Sequence, residues 1–244
     1  GSNQSVAGPL LVLNTVLADS LAWISDQLES KMSSGMALEE AAFAVLKSTM
    51  EQHDAVVFGG DGYSSEWHRM AVEERGLENL PTSADALPVL KRPEIRDLFE
   101  RTGVLSPVEL ESRYEVYAEQ YILAIEVEAR LAVRMARTQV YPVVMECLDK
   151  LSLSLKNQEA LGIPTDRSLV SQMATLNQQL VSACLRLEEA MENAPHGVDA
   201  HLRYCADVLV PGMLAIREAV DGLEMLIDDA SWPLPSYQEM LFLR

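Results

Sequence analysis

The sequence predicts an all-α chain: a long-helix antiparallel bundle preceded by shorter helices and loops. Only 12 Gly, 11 Pro and 4 Phe among 244 residues argue against a sheet-rich fold. Leu, Ala, Glu and Met, which lose little on entering a helix, are plentiful. Apolar residues also recur at spacings of three and four through most of the length. At 48% hydrophobic residues the chain can bury a full core, as one large domain or two closely packed pieces. The expected division lies between residues 1–105, made of short helices and loops, and residues 106–244, the bundle.

Each element has its own signals. Pro9 suits the first turn of a helix, where a missing N–H costs nothing. Leu10, Leu13, Leu17, Leu21 and Ile24 then repeat at helical spacing until Gly35. A second helix is predicted from about Ala37 to Gln52. His53 to Tyr63 is a break, with Gly59, Gly60 and Gly62 around Asp61. Ser64 or Ser65 caps the next short helix and Gly76 ends it. Ser83 is expected to cap a turn holding Ala84, Ala86 and Leu87, and Pro93 to Arg101 forms another helix, stopped by Gly103.

The strongest start signal is Ser106-Pro107-Val108-Glu109, a capping box with proline in the first helical position. The helix it opens carries a predicted inward stripe of Leu110, Tyr114, Tyr117, Tyr121, Ile125, Ala129, Ala132, Ala136, Val140, Val144 and Cys147. Pro142 lies inside it and should kink it. After Gly162-Ile163-Pro164, Asp166 is expected to cap a helix with Leu169, Met173, Leu176, Leu180, Ala183, Leu187 and Met191 inward. Ala194 to Gly197 turns the chain. The last long helix carries Leu202, Cys205, Leu209, Met213, Ile216, Val220, Leu223 and Ile227, with Pro211 as a second kink. Helices of this length, each ~40 Å, pack as an antiparallel bundle. That bundle should open as one cooperative unit, with His53 to Pro93 looser. The apolar end, SWPLPSYQEMLFLR, is expected to dock on a body.

A net charge of -18, spread along the chain, repels phosphate backbones and anionic membrane surfaces. No nucleic-acid or membrane partner is therefore expected. No uninterrupted apolar run approaches the ~18 residues of a membrane span. Cys147, Cys184 and Cys205 lie in apolar helical stretches without CxxC spacing, as small core residues of a reducing compartment. The expected location is cytoplasmic. Gly1-Ser2 reads as a cleavage scar, and the abrupt apolar start suggests a piece of a longer protein.

Nothing local supports a catalytic, cofactor or metal site, and none is assigned. His196 and His201, five apart, point to different helix faces, and neither Glu-x-x-His nor HExxH occurs beside His53 or His68. The glycine stretch Gly59 to Gly62 lacks the Lys-Ser/Thr of a phosphate loop, and Asp61 would repel a phosphate, so a tight turn is expected. It also lacks the alternating oxygen ligands of a calcium loop. The pairs Glu39/Glu40, Glu73/Glu74, Glu109/Glu111, Glu126/Glu128 and Glu188/Glu189 read as solvated helix faces, since acid–base work needs two carboxylates converging in a dry cleft. Tyr114, Tyr117 and Tyr121 read as core packing, with a subunit interface as the alternative. Trp67 and Trp232 read as packing anchors.

Three stretches in order carry a resemblance. FGGDGYSSEWHRMAVEERGLENLPTSADALP (Phe58 to Pro88), with its approach SVAGPLLVLNTVLADSL (Ser5 to Leu21) and its continuation VLSPVELESRYEVYAEQYILAIEVEARLAVRMA (Val104 to Ala136), resembles the C-terminal region of type III glutamine synthetases. The resemblance covers residues 3–142 well, and 143–244 through helical character and length. Leu10, Gly59 and Asp61 stand where that family's pattern favours asparagine. Within this likeness, residues 1–105 correspond to the end of the catalytic region. The parent enzyme joins ammonia to the γ-carboxylate of glutamate at the expense of ATP, with magnesium or manganese. Its metal-binding glutamates and phosphate-binding arginines precede the matched segment, so none falls on a residue here and the fragment itself is expected to be catalytically silent. The implied partners are the catalytic domain of the same chain and neighbouring subunits of homo-oligomeric rings. The alternatives are a stand-alone helical protein-interaction module and an autonomous helical enzyme, which would need a buried polar cluster.

Overall fold

The computed structural model describes residues 5–235 and 237–241, all helix, turn and loop, with no strand among them. Gly1 and Ser2 lie outside the described residues. Two compact units divide the chain, Gly1–Glu115 and Val116–Arg244.

The first unit opens with α1 (Ala7–Ser33) and α2 (Leu38–Gln52), joined through Gly35 at φ +96°, a backbone state that favours glycine. These two helices pack on each other, and α1 also meets α5 (Pro93–Arg101). Between them lie α3 (Ser65–Glu73) and the short α4 (Ser83–Ala86), which a 3₁₀ turn (Leu87–Lys91) follows. Ser64, not Ser65, caps α3, its Oγ accepting from the Trp67 N–H. At α4 the cap is Thr82 rather than the expected Ser83. Thr82 and Asp85 form a reciprocal capping box there, and the carboxylate makes Thr82 the better partner.

Helix α1 forms where its start and stop signals predict, and turns its small residues inward. Its buried positions are Gly8 and Thr15, and the Thr15 hydroxyl is satisfied by the Leu11 carbonyl at 2.8 Å. The leucines that repeat at helical spacing face outward: Leu10, Leu13, Leu17 and Leu21 are 51, 65, 58 and 57% exposed. The buried side of α1 is thus small and the bulky stripe lies on the opposite side. By length and composition alone, α1 is apolar enough to cross a bilayer, because Asp19 is the one charge between Ala7 and Ile24. A search for unbroken apolar runs overlooks such a helix.

In the second unit, α6 (Pro107–Met135, which begins in the first unit), a π turn (Ala136–Val140) and α7 (Tyr141–Ala160) run as one continuous helical stretch. Next come α8 (Ser168–Glu192), α9 (Val198–Tyr204), a second π turn (Cys205–Leu209) and α10 (Val210–Glu224). At each of the two prolines expected to kink a helix, a π turn lies just ahead of the ring. Proline offers no N–H to the carbonyl four residues back, and its ring crowds that carbonyl. One residue ahead of Pro142, Tyr141 donates five residues back to Ala136; ahead of Pro211, Val210 donates to Cys205. Widening the turn makes room for the ring without ending the helix.

Helix α8 packs on α7 and α10. Where α10 meets it, Gly212 lies against Leu187 and Gly222 against Leu176. The partner numbers fall as the glycine numbers rise, so the two helices run antiparallel as expected. Met173, Leu180, Leu187, Leu202, Leu209 and Leu223 form the heart of this core. On α6 the buried line passes through Ala118, Ile122 and Val133, leaving Tyr117, Tyr121, Ala132 and Cys147 of the predicted stripe only half-buried. Leu169, predicted inward, is exposed. In the terminal segment Trp232 and Leu234 are half-buried, whereas Met240 and Leu241 of α11 (Tyr237–Leu241) are exposed. Ser236 and residues 242–244 lie outside the described residues.

Candidate functional site

The most distinctive local geometry is built by the glycine stretch and α3. Phe58 stacks on Trp67 with ring centroids 3.8 Å apart and planes 15° from parallel. Arg75, just past the end of α3, places its guanidinium 5.1 Å from the Trp67 ring centroid and 5.9 Å from that of Phe58. The same group donates to the carbonyls of Ala55 (3.1 Å) and Val57 (2.8 Å). One arginine therefore holds the 3₁₀ turn Asp54–Val56 and covers a stacked aromatic pair. Arg75 is the residue that sequence reading missed, because its carbonyl partners lie 20 and 18 positions upstream.

The loop tip obeys turn chemistry. Asp61 Oδ1 accepts from the Tyr63 N–H at 2.9 Å, and Ser64 Oγ donates to the Asp61 carbonyl. The Asp61 carboxylate is thus committed to its own turn, and Tyr63 projects 94% exposed. Gly60 is required by packing: a Cβ there would lie 2.5 Å from Phe58 Cζ. Gly59 and Gly62 meet nothing within 4 Å. This is the tight turn expected from the sequence, buttressed by an aromatic stack.

The paired carboxylates go to separate tasks. Glu39 and Glu40 occupy the first turn of α2, where the helix dipole favours negative charge. Glu73 and Glu74 both reach Arg69. Glu109 accepts from the Ser106 N–H and hydroxyl, each at 2.8 Å, which holds its carboxyl below the ordinary glutamate value. Asp166 accepts from the Ser168 N–H ahead of α8 and is lowered by that bond. Glu188 pairs with Arg137 of the first π turn. Glu126 is shared: Arg130 lies 2.7 Å from one oxygen and His201 Nε2 3.2 Å from the other. This approach brings α6 beside α9 across 75 positions, without a hydrogen bond from His201 Nε2, and only its Glu126–Arg130 half is readable from spacing.

The remaining histidines, His53, His68 and His196, are exposed and apart from that cluster. Cys184 and Cys205 are buried, and Cys147 is half-buried. Burial raises the Cys184 thiol, and burial followed by the Glu126 charge pushes that of Cys205 up to about 11. Tyr114 is buried with the Lys91 ammonium 4.6 Å over its ring. Among the described residues no group of three or more His, Cys, Asp or Glu side chains is placed to hold a metal ion.

A family model described as Glutamine synthetase C-terminal domain matches residues 41–159. The whole chain is 34% identical to a stretch of the type-3 glutamine synthetase of Dictyostelium discoideum, covering 34% of that protein. It is 27% identical to the glutamine synthetase of Bacteroides fragilis, over all of this chain and 35% of the relative. For the glutamine synthetase of Butyrivibrio fibrisolvens the identity is 32%, over 88% of this chain and 32% of the relative. The chain thus spans about a third of the length of the curated relatives it matches.

Proposed function

Because the chain belongs to the glutamine synthetase family and corresponds to the C-terminal part of its relatives, a type-3 enzyme among them, we propose that it serves as the helical support of a full-length ATP-dependent glutamate–ammonia ligase. The single observation that carries this reading is the match of the entire chain to one continuous stretch of such an enzyme. In the proposed parent, glutamate, ammonia and ATP react with magnesium or manganese bound elsewhere in the polypeptide. The residues described here do not fit those groups: Glu109, Glu126 and Glu188 are engaged by separate partners and converge on no common point. No step of the reaction is therefore assigned to this chain, and alone it is inactive. Its task is to brace the catalytic part and to contribute to homo-oligomeric ring assembly in the cytoplasm. The internally packed second unit, with large side chains fully buried along α8 and α10, suits a rigid brace.

The test is made on the full-length protein. Glutamine formation is measured with glutamate, ammonia, ATP and magnesium, and assembly by light scattering. The wild type is expected to be active and oligomeric, and removal of residues 143–244 to cost both. Retention of full activity and assembly after that deletion would refute the bracing role. An inactive wild type would refute the enzyme assignment.

A further inference from the structure

We propose that the outward leucine stripe of α1, Leu10, Leu13, Leu17 and Leu21, is a docking face for the portion of the full-length chain that precedes it. This rests on the reading of the chain as the C-terminal part of a longer protein, and it names the contact through which the two parts meet.

The inference starts from the inverted burial of α1. A helix at the surface of a finished domain turns its large apolar residues inward and its small and polar residues out. Here the reverse holds: Gly8 and Thr15 are buried, and the four leucines of one stripe are more than half exposed. The inner side is already engaged, since α1 packs on α2 and α5 and Asp19 forms a 2.6 Å ion pair with Arg101. Rotating the helix to hide its leucines would break that pair and bring bulky side chains where small ones now fit. The stripe is therefore built to be covered by something else.

Three occupants are conceivable, and the observations favour one. The relatives extend about twice as far again beyond the matched stretch, which is their C-terminal part. The missing portion thus lies ahead of α1 in sequence, and consecutive elements usually lie adjacent in space. A bilayer suits α1 poorly despite its apolar composition, because its other side carries the Asp19–Arg101 pair and the chain's charge of -18 opposes anionic headgroups. A second copy would leave the preceding portion without a contact to the element nearest it.

The experiment places Leu17→Cys, and separately Leu13→Cys, in the full-length protein. Alkylation by a small maleimide is followed by peptide mass spectrometry, which reads Cys147, Cys184 and Cys205 separately. Modification at position 17 is expected to be about a hundredfold slower in the native protein than in urea, and unchanged when the assembly is diluted to single subunits. Protection lost on dilution would assign the face to a second copy and overturn the proposal. So would a thiol that is open until phosphatidylcholine–phosphatidylserine vesicles are added, or one that is open throughout. If either variant fails to fold, the other provides the same readout from the same stripe. Glutamine formation by the wild type separates the two claims: an active enzyme with an open thiol sinks the docking face alone, and an inactive chain with a protected thiol sinks the enzyme reading alone.

Discussion

Replacing Gly60 by alanine tests whether the diagnostic glycine stretch is a packed aromatic turn. The new methyl would meet Phe58 Cζ at 2.5 Å, with Cε1 and Cε2 at 3.1 and 3.2 Å, so the flat ring must retreat. It has little freedom to do so while stacked 3.8 Å from Trp67. Losing the stack costs ~0.5–1.5 kcal/mol, and weakening the Arg75 contact removes a fraction of a further ~0.5–1 kcal/mol. Against this, alanine restricts the unfolded chain and returns ~0.4–1 kcal/mol. The net expectation is a loss of about 1 kcal/mol for Gly60→Ala. Gly59→Ala and Gly62→Ala, which meet nothing within 4 Å and need no positive φ, should gain a few tenths to about 1 kcal/mol. Thermal melts followed by circular dichroism would show the contrast as a separation of about 4 °C or more in Tm. In a Phe58→Ala background the obstacle is gone, so Gly60→Ala should become as harmless as its neighbours. Equal melts for all three alanine variants, or no coupling between positions 58 and 60, would refute the packing argument.

On α10 the same reasoning separates two glycines. Gly212→Ala meets the fully buried Leu187 at 2.9 Å and should be neutral or lose up to ~2 kcal/mol, overpacking exceeding the helix-propensity gain, whereas Gly222→Ala meets the more yielding Leu176 at 3.1 Å and should gain up to ~1 kcal/mol, both read by urea denaturation. The cap at α6 is pH-dependent. Because Glu109 is held below its ordinary value in the folded state, its contribution is present above the ordinary glutamate range and fades as pH falls through the depressed folded value. The melting difference between wild type and Glu109→Gln should therefore shrink on acidification; a constant difference down to the acid transition would count against the cap. Native alkylation at mildly alkaline pH should modify Cys147 well before Cys184 or Cys205, whose thiols are buried and raised, and equal labelling seen by mass spectrometry would contradict their placement.

The helices were legible wherever local chemistry decides them. Ser64, Ser106 and the glycines at 35, 76, 103, 162 and 197 mark starts and stops that need only their immediate neighbours. Less legible was the choice between adjacent candidates on one helix face. A stripe through Tyr117 and Tyr121 satisfies the spacing as well as one through Ala118 and Ile122, and the depth of the facing surface decides between them. Both prolines were visible, but the π turns ahead of them depend on helix continuity that tertiary packing enforces. Arg75 on Phe58 and Trp67, and His201 beside Glu126, were illegible because nothing in the spacing of the chain brings such positions together.

The two units differ in what they bury, and this bears on what each needs. Among the described residues, Phe99 alone of the largest fully buried side chains belongs to the first unit; Met173, Leu180, Leu187, Leu202, Leu209, Leu223 and the others belong to the second. The second unit therefore carries a core of its own. The first spends its bulky residues outward, with Phe43, Leu46 and Met50 of α2 exposed as well as the leucines of α1. Fully burying one leucine contributes ~1.5–3 kcal/mol, so covering the outer half of four contributes roughly 3–6 kcal/mol, a large share of a typical domain's net stability. A unit that forgoes that much on its own gains it when a neighbour covers the stripe. On this argument the first unit is the joint to the rest of the full-length protein, and the second is the part whose fold needs no help.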